Sequence, residues 1–382
     1  MLFTREKLEQ SERKTLAPYA CFADSSRGRV HPESESTYRT AFQKDRDRVV
    51  HTSAFRRLEY KTQVFVNYEG DYYRTRLTHT LEVAQVAKAV TRALGLNEDL
   101  AETIALAHDL GHPPFGHAGE SSLDRLAQEA GGFDHNKQSL RIVTQLEQRY
   151  PDFPGLNLTW EALEGIMKHE SEYDLPDSDW EPDKRPGLEA QVVNIADELA
   201  YNAHDLDDGL RSGHLSPVQI AEVPVVGRLM EKLGLRAETF GRRERYVLIR
   251  ELLGLMIEDA IVCTGRRLDD EGVGDIEDVR DAPEKLVSNS PGLHQELADL
   301  KAFLYQNFYF HYRLIRMTRK ADHILASVFA AYLEAPDMLP FDVRRAVEDR
   351  GLVRSVTDYL AGMTDRYAGE EYRRLFDPHS LT

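Results

Sequence analysis

Most segments between the glycine and proline breakers of this chain repeat apolar residues every three or four positions rather than every second one. That period is the signature of helices burying one face, so the chain can fold only as helix against helix, and the expected class is all-α. From Thr78 to Leu94 the residues Val83, Val86, Ala87, Val90 and Leu94 form one such face, and His79, four positions before Val83, continues it inward. A second helix is expected to start at Asn97, a good N-cap followed by Glu98 and Asp99 in the positively polarised first turn. It should run through Leu100, Ala101, Ile104 and Ala105 to His108, and end at Gly111 and Pro113-Pro114. A third, Glu189 to Asp208, pairs an apolar stripe (Val192, Ala196, Leu199, Ala203, Leu206) with a polar line (Asn194, Asp197, Tyr201, Asp205) that can face a site. Amphipathic segments at Glu244–Cys263 and Leu297–Lys320 extend the helical reading, while the acidic, breaker-rich stretches Ser171–Gly187 and Asp269–Lys285 read as loops or lids.

Composition limits the functions open to such a bundle. With 48 Lys and Arg against 65 Asp and Glu, the formal charge is −17, so most of the surface repels polyanions at long range. This excludes a general nucleic-acid-binding surface but leaves room for a local basic pocket. Only Cys21 and Cys263 are present, too few for a disulfide framework or a cysteine zinc site, and a cytoplasmic location is expected. The charged N-terminus offers no signal-peptide core, and no run approaches the roughly 18 to 20 apolar residues of a membrane span.

The pair His108-Asp109 follows the apolar run Ile104–Ala107, where a carboxylate is costly to bury without a partner. A divalent metal would neutralise it, and imidazole and carboxylate suit first-row cations, with His79 and Asp197 approaching from neighbouring helices. Alone, the pair also reads as a helix C-terminus with its histidine near the negative end of the dipole.

The full pattern of His79, His108-Asp109 and Asp197 resembles the HD-domain superfamily of metal-dependent phosphohydrolases. More closely, Phe55-Arg56-Arg57-Leu58, Lys61-Thr62-Gln63-Val64-Phe65, Arg74–His79, the run HDLGHPPFGHAGE at 108–120, FDHNKQSL at 133–140 and ADELAYNAHD at 196–205 are similar to the dNTP triphosphohydrolase, or dGTPase-like, family. The resemblance implies an HD-domain helical core with a C-terminal helical region packed on it: an N-terminal segment 1–50, a catalytic core 51–210 and a C-terminal region 211–382. It implies His79, His108, Asp109 and Asp197 as ligands of a divalent ion, with Mn, Mg, Fe, Co and Zn all compatible.

His117 and Glu120, three residues apart at a helix start after Gly116, project from one face and can form an acid/base pair. The resemblance makes His117 the proton donor to the leaving oxygen, Glu120 its orienting partner, and His112 and His135 catalytic neighbours. Arg76, three positions before His79, can bind phosphate oxygens, and Lys168-His169 resembles a phosphate-binding segment of the family. Gln63, Tyr201 and Asp205 match positions that line the deoxyribose. Read singly, each of these residues is also an ordinary turn, ion-pair or solvated helix residue.

The reaction implied is hydrolysis of a deoxynucleoside triphosphate (dNTP), with dGTP one candidate, to deoxynucleoside and inorganic triphosphate. Because the chain is shorter than the longer dGTP-selective members, a strict guanine preference is not expected. The family also suggests a homo-oligomer and a second dNTP acting as effector. The aromatic and basic run Phe303–Lys320 can serve an interface, a nucleotide or single-stranded DNA, or pack as a plain helix. The alternatives are an HD-type phosphohydrolase for another nucleotide and a nucleotide-responsive module that binds single-stranded DNA.

Overall fold

The apolar stripes become buried helix faces. A computed structural model describes residues 2–64, 74–169, 180–181 and 183–380, and among these the backbone is helix and turn, with only isolated bridges such as Thr62 to Thr75 in place of strands. Phe65 of the motif at 61–65, and 171–179 and Pro182 of the first acidic stretch, lie outside the described residues. The helices that matter for the site are, in chain order, α1 (Arg76–Ala93), α2 (Glu98–Ala107), α3 (Gly116–Leu126), α4 (His135–Arg141), α5 (Trp160–Met167), α6 (Leu188–Arg211), α7 (Arg242–Asp270), α8 (Pro291–Leu304), α9 (Tyr312–Glu334), α10 (Leu352–Ala361) and α11 (Asp365–Phe376). No helix among the described residues is long and apolar enough to cross a membrane.

The chain divides into two compact units. One comprises Met1–Arg46, Leu81–Ala105 and Thr159–Tyr312. Its spine is α6, whose stripe Val192, Ala196, Leu199, Ala203 and Leu206 is fully buried, with α7 packed along it. The other comprises Asp47–Thr80, Leu106–Leu158 and Arg313–Thr382. Its core joins Phe115, Leu123 and Phe133 to Leu325, Val328, Phe329, Val356 and Leu360.

Several boundaries differ from the sequence expectation. Asn97 does cap α2, its Oδ1 accepting from Leu100 N at 3.2 Å. The helix, however, ends at Ala107, so His108-Asp109 stands in the following turn. Tight i→i−3 bonds take over there (Leu110 N to Ala107 O at 3.2 Å, His112 N to Asp109 O at 3.2 Å), and Ser139 Oγ donates to the His108 carbonyl at 2.8 Å. Gly111 does more than stop a helix: a Cβ on it would lie 2.1 Å from His135 O and 2.3 Å from Ser139 N, so only glycine lets α4 approach.

The run Leu297–Lys320 is not one helix. A π-turn at Tyr305–Tyr309 separates α8 from α9, burying Phe308 while leaving Tyr305 and Phe310 exposed, an arrangement one regular helix face could not give these aromatics. The stretch Asp269–Lys285 is not all loop either, since Ile276–Asp281 is a short helix whose N-cap Asp275 accepts from Glu277 N and Asp278 N.

Candidate metal centre

His79 leaves the first turn of α1, and His108 and Asp109 leave the turn after α2. All three are buried, and each offers a ligand atom within 4.8 Å of the other two. The imidazoles of His79 and His108 meet edge to face with centroids 6.0 Å apart. Two imidazoles and a carboxylate are a borderline donor set suited to a divalent first-row ion, and their convergence in a buried pocket fits such an ion.

The carboxylate of Asp109 is held on two sides, by a guanidinium and by two imidazoles. Arg76 Nη1 lies 3.0 Å from Oδ2, His112 Nδ1 2.9 Å from Oδ1, and His108 Nε2 3.5 Å from Oδ1. Burial by itself would raise its pKa, but Arg76, then His108 and His112, hold it well below the usual carboxylate range. Burial, then Arg76 and His135, push the pKa of His112 well down, against the pull of Asp109.

A second cluster adjoins this one within the same unit. Glu120 on α3 sits between two histidines: Oε2 is 3.3 Å from His117 Nδ1, and Oε1 is 2.9 Å from His135 Nδ1 and accepts from His135 N at 2.8 Å. His112 stacks on His135 at 3.8 Å between centroids and meets His117 edge-on at 5.5 Å. Burial opposes ionisation of Glu120, but His135 and His117 outweigh it and keep its pKa far below the ordinary value. His117 is the exposed member, its side chain 51% accessible, so a partly buried carboxylate orients an imidazole that reaches solvent.

One residue outside the expected set supports this turn. Lys61 is buried, and its Nζ donates to the carbonyls of His112 and, at 3.0 Å, of Ala361. Burial, then Arg57 and Arg76, push its pKa down to about 7, against the pull of Asp365 and Asp109. Gln63, expected at the sugar, is partly buried, and its Oε1 accepts no hydrogen bond from the described residues.

The remaining expected residues belong to the other unit. Asp197, on the polar line of α6, has Oδ2 at 3.5 Å from His169 Nε2. Tyr201, one turn on, shares a hydroxyl hydrogen bond with Tyr309, their rings nearly parallel at 6.4 Å, and Asp205 is buried one turn further. Tyr309 was not singled out in the sequence, where nothing separates it from its aromatic neighbours.

Lys168 is placed differently from its neighbour. Its Nζ donates to Glu164 Oε1 at 2.9 Å, Glu181 O at 3.1 Å and Lys184 O at 2.8 Å. All three ammonium protons are thus taken, which fits a structural tie rather than the expected phosphate contact. Glu164 also accepts from both Arg280 Nη atoms at 2.8 and 3.0 Å, and all three side chains are nearly inaccessible. Glu164→Ala would strand two buried cations, and it is expected to lower stability by about 3–5 kcal/mol in denaturant titration. An unchanged denaturation midpoint would show the network to be dispensable.

Comparison with known proteins bears on this geometry. The HD domain family matches residues 76–202, which include His79, His108, Asp109 and Asp197, and the Phosphohydrolase-associated domain matches 287–374. A deoxyguanosinetriphosphate triphosphohydrolase-like protein of Geobacter sulfurreducens is 50% identical over 378 residues, covering 98% of each chain. The chain belongs to the HD-domain phosphohydrolase family. Likewise named relatives from Geobacter metallireducens and Thiobacillus denitrificans are each 48% identical, over 96% and 95% of this chain and 97% of each relative. With the HD domain and its clustered His and Asp ligands, this member is a phosphohydrolase with a divalent-metal site. A hypothetical protein from Aquifex aeolicus of known structure matches at 16% identity and a TM-score of 0.37, too low a likeness to bear on fold or function.

Proposed function

We propose that this phosphohydrolase hydrolyses deoxynucleoside triphosphates to deoxynucleoside and inorganic triphosphate. The observation that carries the reading is the adjacency, within one unit, of the ligand group His79, His108 and Asp109 to a carboxylate-bridged pair of histidines, one buried and one exposed. The names of the relatives, similar over nearly the whole chain, point to the same substrate class. Asp197 is assigned as the fourth ligand on the sequence pattern, for a set of two His and two Asp.

A divalent ion held there supplies Lewis acidity toward the phosphate oxygens when bound. The chain's own groups do the rest. Water attacks the α-phosphorus, the bond from phosphorus to the 5′-oxygen breaks, and His117 passes its proton to that oxygen while Glu120 fixes the ring. Arg76 keeps Asp109 ionised and adds positive charge on the phosphate side. Gln63, Tyr201 and Asp205 are assigned to the deoxyribose, where an amide and a carboxylate can bond the 3′-hydroxyl and a tyrosine can exclude a 2′-hydroxyl.

Turnover of the four dNTPs, the four ribonucleoside triphosphates and the deoxynucleoside monophosphates, before and after chelation and with Mn²⁺ or Mg²⁺ restored, tests the assignment. The expected pattern is turnover of dNTPs alone, lost on chelation and regained with metal. Hydrolysis of monophosphates at a comparable rate would reassign the substrate.

A further inference from the structure

The turn that carries His112 and leads into the helix of His117 and Glu120 is made of residues that would not hold this conformation unaided. His112-Pro113-Pro114-Phe115-Gly116 ends with Phe115 at φ 67°, ψ 18°, a left-handed conformation that non-glycine residues rarely adopt, followed by Gly116 at φ 59°. Phe115 is also the N-cap of α3 and has no side chain that could bond the first amides of the helix, so the entry to α3 is not held by capping. Its ring is fixed in the core with Leu123, Phe133 and Leu325. Its backbone must be fixed by something else.

Asp365, the first residue of α11, does so. Its carboxylate is fully buried, Oδ1 accepting from Phe115 N at 2.8 Å and Oδ2 from the Thr62 hydroxyl. The other end of the turn is held by Lys61, whose ammonium ties His112 O to Ala361 O at the end of α10. The residue next to Lys61, Thr62, is the one bonded to Asp365, and its carbonyl lies 3.5 Å from where a Gly116 Cβ would stand. Two buried side chains, an amine and a carboxyl, therefore grip the two ends of one short catalytic turn, and both reach it from 61–62 and 361–365, segments that contribute none of the catalytic groups.

We propose that Asp365, together with Lys61, is a positioning residue for hydrolysis: the two clamp the 112–115 turn at its two ends and thereby set where His112 stands against Asp109 and where α3 presents His117 and Glu120. This rests on the role given above to His117 and Glu120. The carboxylate is specific to the task because it accepts two bonds at once, from an amide and from a hydroxyl, while facing a buried ammonium. An asparagine keeps the acceptor for Phe115 N and can donate to Thr62 Oγ, whereas an alanine leaves a buried amide and a buried ammonium without it.

The test compares full-length wild type, Asp365→Ala, Asp365→Asn and Thr364→Ala. The last removes the N-cap bond of α11 to Tyr367 N, 3.1 Å long, and leaves the carboxylate in place. Hydrogen exchange of peptides spanning 112–117 is read alongside kcat, KM for dNTPs and bound metal. Asp365→Ala should speed exchange of the Phe115 amide roughly tenfold or more and lower kcat about 10²-fold, with KM within about threefold and metal content unchanged. Asp365→Asn should recover kcat to within about tenfold of wild type, and Thr364→Ala should leave both exchange at 112–117 and kcat near wild type. Unchanged exchange in folded Asp365→Ala overturns the clamp, and faster exchange with unchanged kcat overturns its role in hydrolysis. If wild type turns over no dNTP, the substrate assignment fails, and the exchange result then decides the clamp by itself.

Discussion

Asp109→Ala is expected to strip the protein of its bound metal and to lower dNTP turnover by roughly 10³-fold or more, the loss of a Lewis-acid contribution of several kcal/mol at about 1.4 kcal/mol per tenfold. The same change should cost stability, because Asp109 is the counter-ion of Arg76, itself only 2% exposed. Removing one partner of a buried pair typically costs about 3–5 kcal/mol. Asp109→Asn keeps the volume and separates the effects: it should unfold less readily than the alanine variant yet still bind metal poorly, since a neutral amide neither balances the ion nor draws the histidines around it. Metal analysis of the purified variants, beside their denaturation curves and turnover rates, reads all three quantities. A folded Asp109→Ala protein with full metal content and wild-type turnover would remove this residue from the centre.

The second large effect should fall on His117. Its side chain is half exposed and packs into no core, so His117→Ala should change stability by no more than about 0.5 kcal/mol. As the donor to the leaving oxygen it should nevertheless account for about 10²- to 10⁴-fold in kcat, the usual range for a positioned general acid, with metal content unaltered. Glu120→Gln should act through the same imidazole. Losing the carboxylate that faces both His117 and His135 is expected to lower kcat by less than loss of His117 itself, and the double variant should be no worse than His117→Ala alone. Full multiplicativity of the two single effects would mean that Glu120 acts independently of His117.

What the sequence made legible was local. The stripe of α6, the inward turn of His79 on α1, the cap at Asn97 and the start of α3 at Gly116 all follow from the period of apolar residues and from residue types with one dominant backbone use. For the group His79, His108 and Asp109 the local signal was partial: a carboxylate behind the apolar run Ile104–Ala107 requires compensation, but the ligand set itself was implied by the family resemblance.

What was not legible was set by contacts remote in sequence. The end of α2 one residue before His108 depends on Ser139, 31 residues away, bonding the His108 carbonyl. The conformation of Phe115 depends on Asp365, 250 residues away. In the sequence Asp365 reads as an acid in the first turn of a helix, its ordinary place, and nothing nearby distinguishes it from any other. Lys168 illustrates the converse: the family resemblance implied a phosphate contact, and here two carbonyls and Glu164 take its protons.

The central claim is the identity of the bond that breaks, and product analysis tests it most directly. The purified protein, loaded with Mn²⁺ or Mg²⁺, is incubated with each dNTP and the phosphate products are resolved by ³¹P NMR. Inorganic triphosphate and deoxynucleoside in equal amounts are predicted, with no deoxynucleoside mono- or diphosphate at any time. Orthophosphate or pyrophosphate as the first product, with the matching deoxynucleotide, would contradict the account.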